Sequence, residues 1–182
     1  MKYISRWALM RNTSEETLSQ HSHEVASLAY ALCVIGNRRY GRNYNAHRAS
    51  LLGLYHDMPE ILTGDMPTPV KYFNPEIKEA YKKVEESASE KLLGTLPEDL
   101  REDFDFLFNK KDEDGELWTV VKAADKLSAL IKCIEERKAG NMEFAKAEQS
   151  TLESLREMNM PEVSDFIEEF LPGYELTLDQ LA

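Results

Sequence analysis

The stretch GELWTVVKAADKLSALIKCIEERKA, residues 115–139, decides the fold class of this 182-residue chain. Its apolar residues recur every three or four positions, which is the period of an α-helix with one buried face. Gly140 follows directly, and glycine is the residue that most often ends a helix. The stretch therefore predicts a long helix whose buried face carries Leu117, Val121, Ala124, Ser128 and Ile131.

Most of the remaining chain shows the same period. Thr17 and Gln20 fit a capping box before a stripe that runs to about Arg39, and Asn74 with Pro75 begins another helix. No segment alternates with period two, and no repeat or linker divides the chain. An all-α fold is predicted, in which residues 1–182 form a single helical domain. Further helices are predicted from about 45 to the HDMPE sequence at 56–60, and over 97–109, 143–158 and 161–170.

The composition excludes several classes of function. The chain has 33 acidic and 22 basic residues, a net charge of −11, which disfavours binding to a nucleic-acid polymer but allows a small anion in a local pocket. No apolar run approaches the roughly 18 residues of a membrane helix. The N-terminal sequence MKYISRWALMRN lacks the apolar core of a signal peptide. The chain has only two cysteines, Cys33 and Cys133, which fits a reducing compartment. Together these observations predict a cytoplasmic protein that does not associate with membranes.

Four ionisable residues occupy positions where the helical patterns place buried groups. His21 continues the apolar stripe of the first long helix, and the dipole at a helix start favours the neutral imidazole that can bind a metal. His56 continues the apolar side of the second helix and is followed by Asp57, while Asp125 borders the buried face of 115–139. Each alone also fits a hydrogen-bonded core histidine or a salt-bridged acid. Together they form a mixed N/O ligand set that suits Mn, Fe, Co, Ni or Zn.

Glu60 lies four residues after His56 and shares its side of the helix if the helix continues. Pro59 lacks a backbone donor and is predicted to kink or end the helix at that point. The direction of Glu60 therefore depends on how the chain turns at Pro59.

The wider context of these residues resembles a known family. The segments RWALMRN (6–12), SQHSHEVA (19–26), YHDMPEILTGDMPTPVKYF (55–73) and VKAADKLSALIKC (121–133) look like the bacterial 5′-deoxynucleotidases of the HD-domain metal-dependent phosphohydrolase superfamily. The similarity runs in order over nearly the whole chain. It implies an all-α cytoplasmic homodimer that hydrolyses deoxyribonucleoside 5′-monophosphates to deoxynucleoside and phosphate. It also implies discrimination against ribonucleotides and a divalent metal ion, often cobalt.

The resemblance assigns roles by position in the chain. It implies that one divalent ion, which could be Co, Mn, Zn, Fe, Ni or Mg, binds His21, His56, Asp57 and Asp125. It makes Glu60 the catalytic acid or base.

A second set of residues is implied to bind the substrate. Arg6 would orient the phosphate and Trp7 would pack beside the sugar. The turn 65–68 would hold the sugar, with Asp65 on its 3′-hydroxyl. The full substrate-binding set is Arg6, Trp7, His21, Asp57, Asp65, Met66, Pro67, Thr68 and Asp125.

Two other hypotheses remain open. A related His-Asp hydrolase could act on a nucleoside triphosphate, a cyclic dinucleotide or a guanosine alarmone. The chain has no additional basic domain and no GYP motif, and Met58 and Pro59 follow the His-Asp pair where alarmone hydrolases usually carry Glu-Asp. Alternatively, a non-catalytic helical module would bind the metal and release no phosphate from any nucleotide.

Overall fold

The computed structural model describes residues 1–180, and this part of the chain is built from helices joined by short turns. Its strand-like pairing is limited to one bridge between Ser5 and Thr17. The predicted all-α fold is confirmed. None of the described helices combines the length and apolar character that crossing a bilayer requires. The helices are α1 (Leu18–Arg39), α2 (Ala46–Tyr55), α3 (Glu60–Thr63), α4 (Thr68–Lys71), α5 (Pro75–Gly94), α6 (Arg101–Phe108), α7 (Gly115–Lys138), α8 (Ala145–Glu157) and α9 (Pro161–Asp165).

Several helix ends follow the signals in the sequence. The capping box between Thr17 and Gln20 is present at the start of α1. Asn74 caps α5, where its side chain accepts a hydrogen bond from the backbone N–H of Ile77. Gly140 has a φ of 85° just beyond α7, in the left-handed region that favours glycine. Local chemistry therefore places these three helix boundaries.

Several predicted helices differ from the structure, and the one predicted over 143–158 begins as a 3₁₀ turn at Met142–Phe144 before α8. The helix predicted over 97–109 is a 3₁₀ turn at Glu98–Leu100 followed by α6, because Pro97 has an extended backbone with ψ 143°. The helix predicted over 161–170 is α-helical only to Asp165 and continues as a π-helical turn over Phe166–Phe170. The rings of Phe166 and Phe170 stack there with their centroids 5.3 Å apart.

The core lies where α1, α2 and α7 pack together, and Gly53 on α2 allows a close approach to α1. A Cβ atom at Gly53 would lie 3.1 Å from Cα of Ala26 and 3.2 Å from the carbonyl oxygen of Val25. Those distances are tighter than ordinary packing, so the two backbones meet almost directly. This contact brings the end of α2, with His56, next to the start of α1, with His21.

A buried ion pair attaches the N-terminal segment to α7. Glu136 is almost fully buried and pairs with Lys132 one turn earlier. The Glu136 carboxylate also accepts from the backbone N–H and hydroxyl of Thr13, at 2.9 and 2.6 Å, and from the Asn141 amide at 2.8 Å. These bonds hold the segment that carries Arg6 against the helical core.

Candidate metal centre and substrate site

The chain changes direction between α2 and α3, and this turn sets the orientation of the His-Asp pair. The helix α2 ends at Tyr55, so it stops before Pro59 as predicted, and His56 is its C-terminal cap. Glu60 begins α3 directly after Pro59. The side chain of Glu60 is buried, with 6% of the residue exposed.

Three of the four predicted ligands form a compact group. Nε2 of His56 lies 3.1 Å and Nε2 of His21 lies 3.6 Å from the same oxygen, Oδ2 of Asp57. The ligand atoms of these three residues all lie within 4.8 Å of one another. Asp125 is outside that group, but its Oδ1 atom approaches Nε2 of His21 to 3.1 Å from α7.

The donor atoms in this group fit a divalent metal ion. Among the described residues, no hydrogen bond satisfies Nε2 of His21 or Nε2 of His56, and both atoms are buried. Nδ1 of His56 lies 2.7 Å from the carbonyl oxygen of Gly53. A carbonyl only accepts, so Nδ1 carries the hydrogen and Nε2 of a neutral His56 presents its lone pair, as metal-bound histidines do.

The electrostatics of the group favour a bound cation. Burial lowers the pKa of His21 below its ordinary value, so this imidazole is neutral as predicted, although the main cause is burial. Burial also disfavours a charged His56, but Asp57 and Asp125 outweigh it and raise the pKa of His56 to about 9. The imidazoles in turn hold the pKa values of both carboxyls below their usual range, against the effect of burial. Such a site releases a proton when a metal binds.

A series of hydrogen-bonded side chains behind His21, through Ser128 to Glu24, was not predicted from the sequence. Nδ1 of His21 lies 2.9 Å from the hydroxyl oxygen of Ser128, and that hydroxyl donates to Oε2 of Glu24 at 2.6 Å. Glu24 follows His21 by three positions on α1, and Ser128 follows Asp125 by three on α7. This helical spacing is the signal that could have identified the pair.

Arg6 lies beside His21, and Trp7 is linked to Arg6 through Glu16. Nη1 of Arg6 is 2.8 Å from Nδ1 of His21 and donates to Oε2 of Glu16 at 2.8 Å. Burial opposes the charge of Arg6, but Glu16, Asp125 and Asp57 hold the pKa of Arg6 above its usual value. The indole N–H of Trp7 donates to the same Glu16 oxygen at 2.8 Å.

The side chains of Glu60 and Asp65 are carboxyl groups in a desolvated part of the site. Burial, with the charges of Asp57 and Asp65, raises the pKa of Glu60 to about 9, and its Oε2 atom is buried without a hydrogen-bond partner in the described structure. Burial also raises the pKa of Asp65 above its usual value, against the opposing effect of the nearby Arg6 charge. Glu60 is therefore protonated near neutral pH in the metal-free protein.

The remaining residues of the predicted sugar loop are less closely joined to the centre. Gly64 has a φ of 73°, which turns the chain before Asp65. Met66 and Pro67 are half-buried, whereas Thr68 is exposed and begins α4. The carbonyls of Pro67 and Thr68 accept hydrogen bonds within α4.

Comparison with known proteins gives consistent matches over most of the chain. The family model described as 5′-deoxynucleotidase YfbR-like matches residues 1–174. The 5′-deoxynucleotidase of Vibrio cholerae is 47% identical over 182 residues, covering 100% of this chain and 94% of the relative. A crystal structure of an HD-domain phosphohydrolase from Listeria innocua has a TM-score of 0.82 at 25% identity and covers 95% of this chain and 83% of its own. The cyanophage S-2L HD phosphohydrolase DatZ, solved with dA and one catalytic Zn2+ ion, shares the fold with a TM-score of 0.65 at 21% identity, over 97% of this chain and 93% of its own.

Proposed function

Because this chain belongs to the 5′-deoxynucleotidase YfbR-like family, we propose that it hydrolyses deoxyribonucleoside 5′-monophosphates to a deoxynucleoside and inorganic phosphate, with selection against ribonucleotides. The observation that carries this proposal is the convergence of two buried imidazole nitrogens on one Asp57 oxygen, at 3.1 and 3.6 Å, with Arg6 against one of the imidazoles. Phosphate monoesters are among the slowest esters to hydrolyse uncatalysed, and this arrangement brings together the groups that their hydrolysis needs.

We assign the metal-binding role to His21, His56, Asp57 and Asp125. Their two nitrogens and two carboxylates suit a single divalent metal ion, with cobalt as the proposed ion and Mn, Zn, Fe, Ni or Mg as alternatives. When bound, such an ion neutralises phosphoryl oxygens and lowers the pKa of a water ligand. The buried Nε2 atoms of His21 and His56, which make no hydrogen bond within residues 1–180, support this assignment.

Arg6 is the proposed phosphate-binding residue. Its Nη1 atom donates to Glu16, and no hydrogen bond within the described residues takes its other guanidinium nitrogens. Those nitrogens can bind phosphate oxygens in a forked geometry, and the guanidinium stays charged at every working pH. Arg6 thus offsets the acidic character of the chain at the one place where an anion must bind.

Glu60 is the proposed general acid. The leaving group is a 5′-alkoxide, which needs a proton as the P–O bond breaks. In the metal-free protein Glu60 carries a proton near neutral pH, because burial and the neighbouring acids raise its pKa to about 9. Its proton-bearing carboxyl can therefore donate to the leaving oxygen.

Sugar selection is assigned to Trp7 and the turn 65–68. The indole of Trp7 would occupy the space that a 2′-hydroxyl needs, while Asp65 would accept a hydrogen bond from the 3′-hydroxyl. Met66, Pro67 and Thr68 would complete the turn around the sugar. The electrostatic interaction of Asp65 with Arg6, the neighbour of Trp7 in the chain, supports this assignment.

We also propose that residues 1–182 act as one domain within a cytoplasmic homodimer. Exposed apolar side chains on neighbouring parts of α1 and α2 support a dimer contact, and the ring of Tyr30 touches that of His47 across the two helices. The exposed apolar residues on this face are Tyr30, Val34, Leu51 and Leu54. Light scattering on the purified protein measures the oligomeric state.

Both cysteines are free and buried, which suits the reducing compartment proposed for this protein.

A phosphate-release assay tests the proposed activity. Matched deoxyribo- and ribonucleoside 5′-monophosphates are supplied with Co, Mn, Mg or Zn, and a chelator serves as the control. We expect phosphate from the deoxyribonucleotides at a rate about tenfold or more above that from ribonucleotides, with loss of activity in the chelator. Release only from a nucleoside triphosphate, a cyclic dinucleotide or an alarmone would instead support the related hydrolase. Bound metal without any phosphate release would support the non-catalytic module.

A further inference from the structure

One carboxylate oxygen connects Arg6, which is proposed to bind the phosphate of the nucleotide, with Trp7, which is proposed to pack beside its sugar. Oε2 of Glu16 accepts from Nη1 of Arg6 and from the indole N–H of Trp7, at 2.8 Å in both cases. The side chains of Arg6 and Glu16 are only 13% and 12% exposed. Hydrogen bonds to a charged acceptor are strong when water has little access, so the guanidinium and the indole are held at a fixed separation.

The backbone reinforces the same link. The backbone N–H of Arg6 donates to the carbonyl oxygen of Glu16 at 2.9 Å, and the N–H of Leu18 donates to the carbonyl of Ile4 at 2.8 Å. Glu16 therefore lies opposite Arg6 in a short antiparallel bridge. Its side chain needs no other support to reach both donors.

Trp7 adopts a backbone conformation that its own chemistry does not favour. Its φ is 62°, in the left-handed region where a bulky side chain is uncommon. Such a conformation persists only where its surroundings impose it, and it occurs most often at functional sites. Glu16 contributes to that constraint, since its carboxylate accepts a hydrogen bond from the indole N–H.

We propose that Glu16 is a positioning residue that couples phosphate binding to sugar selection. The inference rests on the proposed function, in which Arg6 binds the phosphate and Trp7 excludes a 2′-hydroxyl. Glu16 touches neither group of the substrate and acts through these two side chains. Because both bonds end on one oxygen, a nucleotide held by Arg6 meets the Trp7 indole in a set position relative to its sugar.

A purely structural role for Glu16 makes a different prediction. Loss of a buried salt bridge would reduce the stability of the fold, or would weaken the binding of all nucleotides by the same factor. It would leave the ratio of kcat/KM values for a deoxyribonucleotide and its matched ribonucleotide unchanged. That ratio comes from a single preparation, so a partly unfolded fraction of the enzyme does not alter it.

The test uses Glu16→Ala and Glu16→Gln in the metal-loaded full-length enzyme. We expect Glu16→Ala to lower the deoxyribo-to-ribo ratio by about tenfold and to raise KM for both nucleotides. Glu16→Gln restores most of the ratio, because its amide oxygen still accepts from the indole. Glu15→Ala is the matched control, since Glu15 is exposed and bonds to Ser5, and it should leave the ratio at the wild-type value.

A double-mutant cycle with Trp7→Phe identifies the path of the effect. This change keeps an aromatic ring but removes the N–H that Glu16 binds, so alone it should lower the ratio. Adding Glu16→Ala to Trp7→Phe should change the ratio by less than about twofold, because the linking bond is already absent. If the effects of the two single substitutions on the deoxyribo-to-ribo ratio instead multiply in the double mutant, the inference is overturned.

The outcomes separate this inference from the function on which it rests. An unchanged ratio in Glu16→Ala, within an enzyme whose wild type prefers deoxyribose, overturns the role of Glu16 alone. If Glu16→Ala fails to fold, an unchanged deoxyribo-to-ribo ratio in Trp7→Phe overturns the role of Glu16 instead. A wild-type enzyme without preference for deoxyribose overturns the proposed sugar selection and the coupling together.

Discussion

Nε2 of His21 lies 3.1 Å from Oδ1 of Asp125, although the two residues belong to α1 and α7. One turn further along α7, the hydroxyl of Ser128 lies 2.9 Å from the other ring nitrogen of His21. Both nitrogens of this buried imidazole are therefore oriented by a single helix. The position of α7 against α1 decides whether His21 can serve as a metal ligand.

The position of α2 against α1 is equally important for metal binding. We expect Gly53→Val to raise the dissociation constant for Co2+ by about tenfold or more, because its added carbons would meet the backbone of Ala26 and Val25. That contact would push His56 away from His21. Isothermal titration calorimetry on the apo protein measures the change.

Gly94→Val is the control for this substitution, since a Cβ atom at Gly94 meets no other atom within 4 Å. It should bind metal like the wild type. Equal affinity in Gly53→Val and Gly94→Val would show that the close approach of the two helices is not needed for the centre.

Glu60 should affect turnover without affecting metal binding. We expect Glu60→Gln to lower kcat by about 10²- to 10⁴-fold, the usual contribution of a general acid. Elemental analysis by mass spectrometry should find the wild-type metal content, because Glu60 is not among the proposed ligands. Wild-type rates would remove Glu60 from the mechanism, and loss of metal would make it a ligand.

Trp7 should determine which sugar is accepted. Trp7→Ala opens space beside the sugar, so we expect its kcat/KM for ribonucleotides to approach that for deoxyribonucleotides to within about threefold. Tyr3→Ala is a control in the same segment, since Tyr3 is 92% exposed. If the preference for deoxyribose survived in Trp7→Ala, exclusion of the 2′-hydroxyl by the indole would be wrong.

Glu136 should contribute to stability in a pH-dependent way. Its hydrogen bonds to Lys132, Thr13 and Asn141 outweigh burial and hold the pKa of Glu136 below its usual value. A depressed pKa in the folded state means that the stabilisation is complete above the unfolded pKa, about 4.3, and is lost as the pH falls through the folded pKa. Glu136→Gln should therefore lower the free energy of unfolding by about 3 kcal/mol at pH 7, and by less below about pH 4.

Chemical denaturation at several pH values measures this difference. Glu157→Gln, at an exposed position at the end of α8, should change stability by less than about 0.5 kcal/mol throughout. A loss in Glu136→Gln that does not depend on pH would mean that the charge of Glu136 is unimportant.

The helices and the metal centre could be predicted because their signals are local and periodic. Apolar stripes, the Thr17 cap and the Asn74 cap are readable from a few neighbouring residues. His21 and Asp125 stood out because a polar side chain on an apolar face has a desolvation cost that a partner must offset. That argument indicates that each residue needs a partner, and the four together suggested a mixed N/O ligand set; the family resemblance then assigned them to one metal ion.

The network around Glu16 could not be predicted for a physical reason. Residues 5–16 have no periodic pattern, and their conformation is set by contacts with distant parts of the chain, such as that of Thr13 with Glu136. The left-handed backbone of Trp7 carries no glycine or asparagine that would signal it. Similarly, Lys132 and Glu136 have the spacing of an ordinary surface pair, yet they are buried where the N-terminal segment packs against α7.

The central claim is that His21, His56, Asp57 and Asp125 bind one divalent cation. Anomalous diffraction at the cobalt edge, from crystals of the Co2+-loaded protein, tests it most directly. We expect one strong peak within about 2.0–2.3 Å of ligand atoms from all four residues. A saturated protein with its peak elsewhere, or with no density among these side chains, would contradict the claim and the mechanism that depends on it.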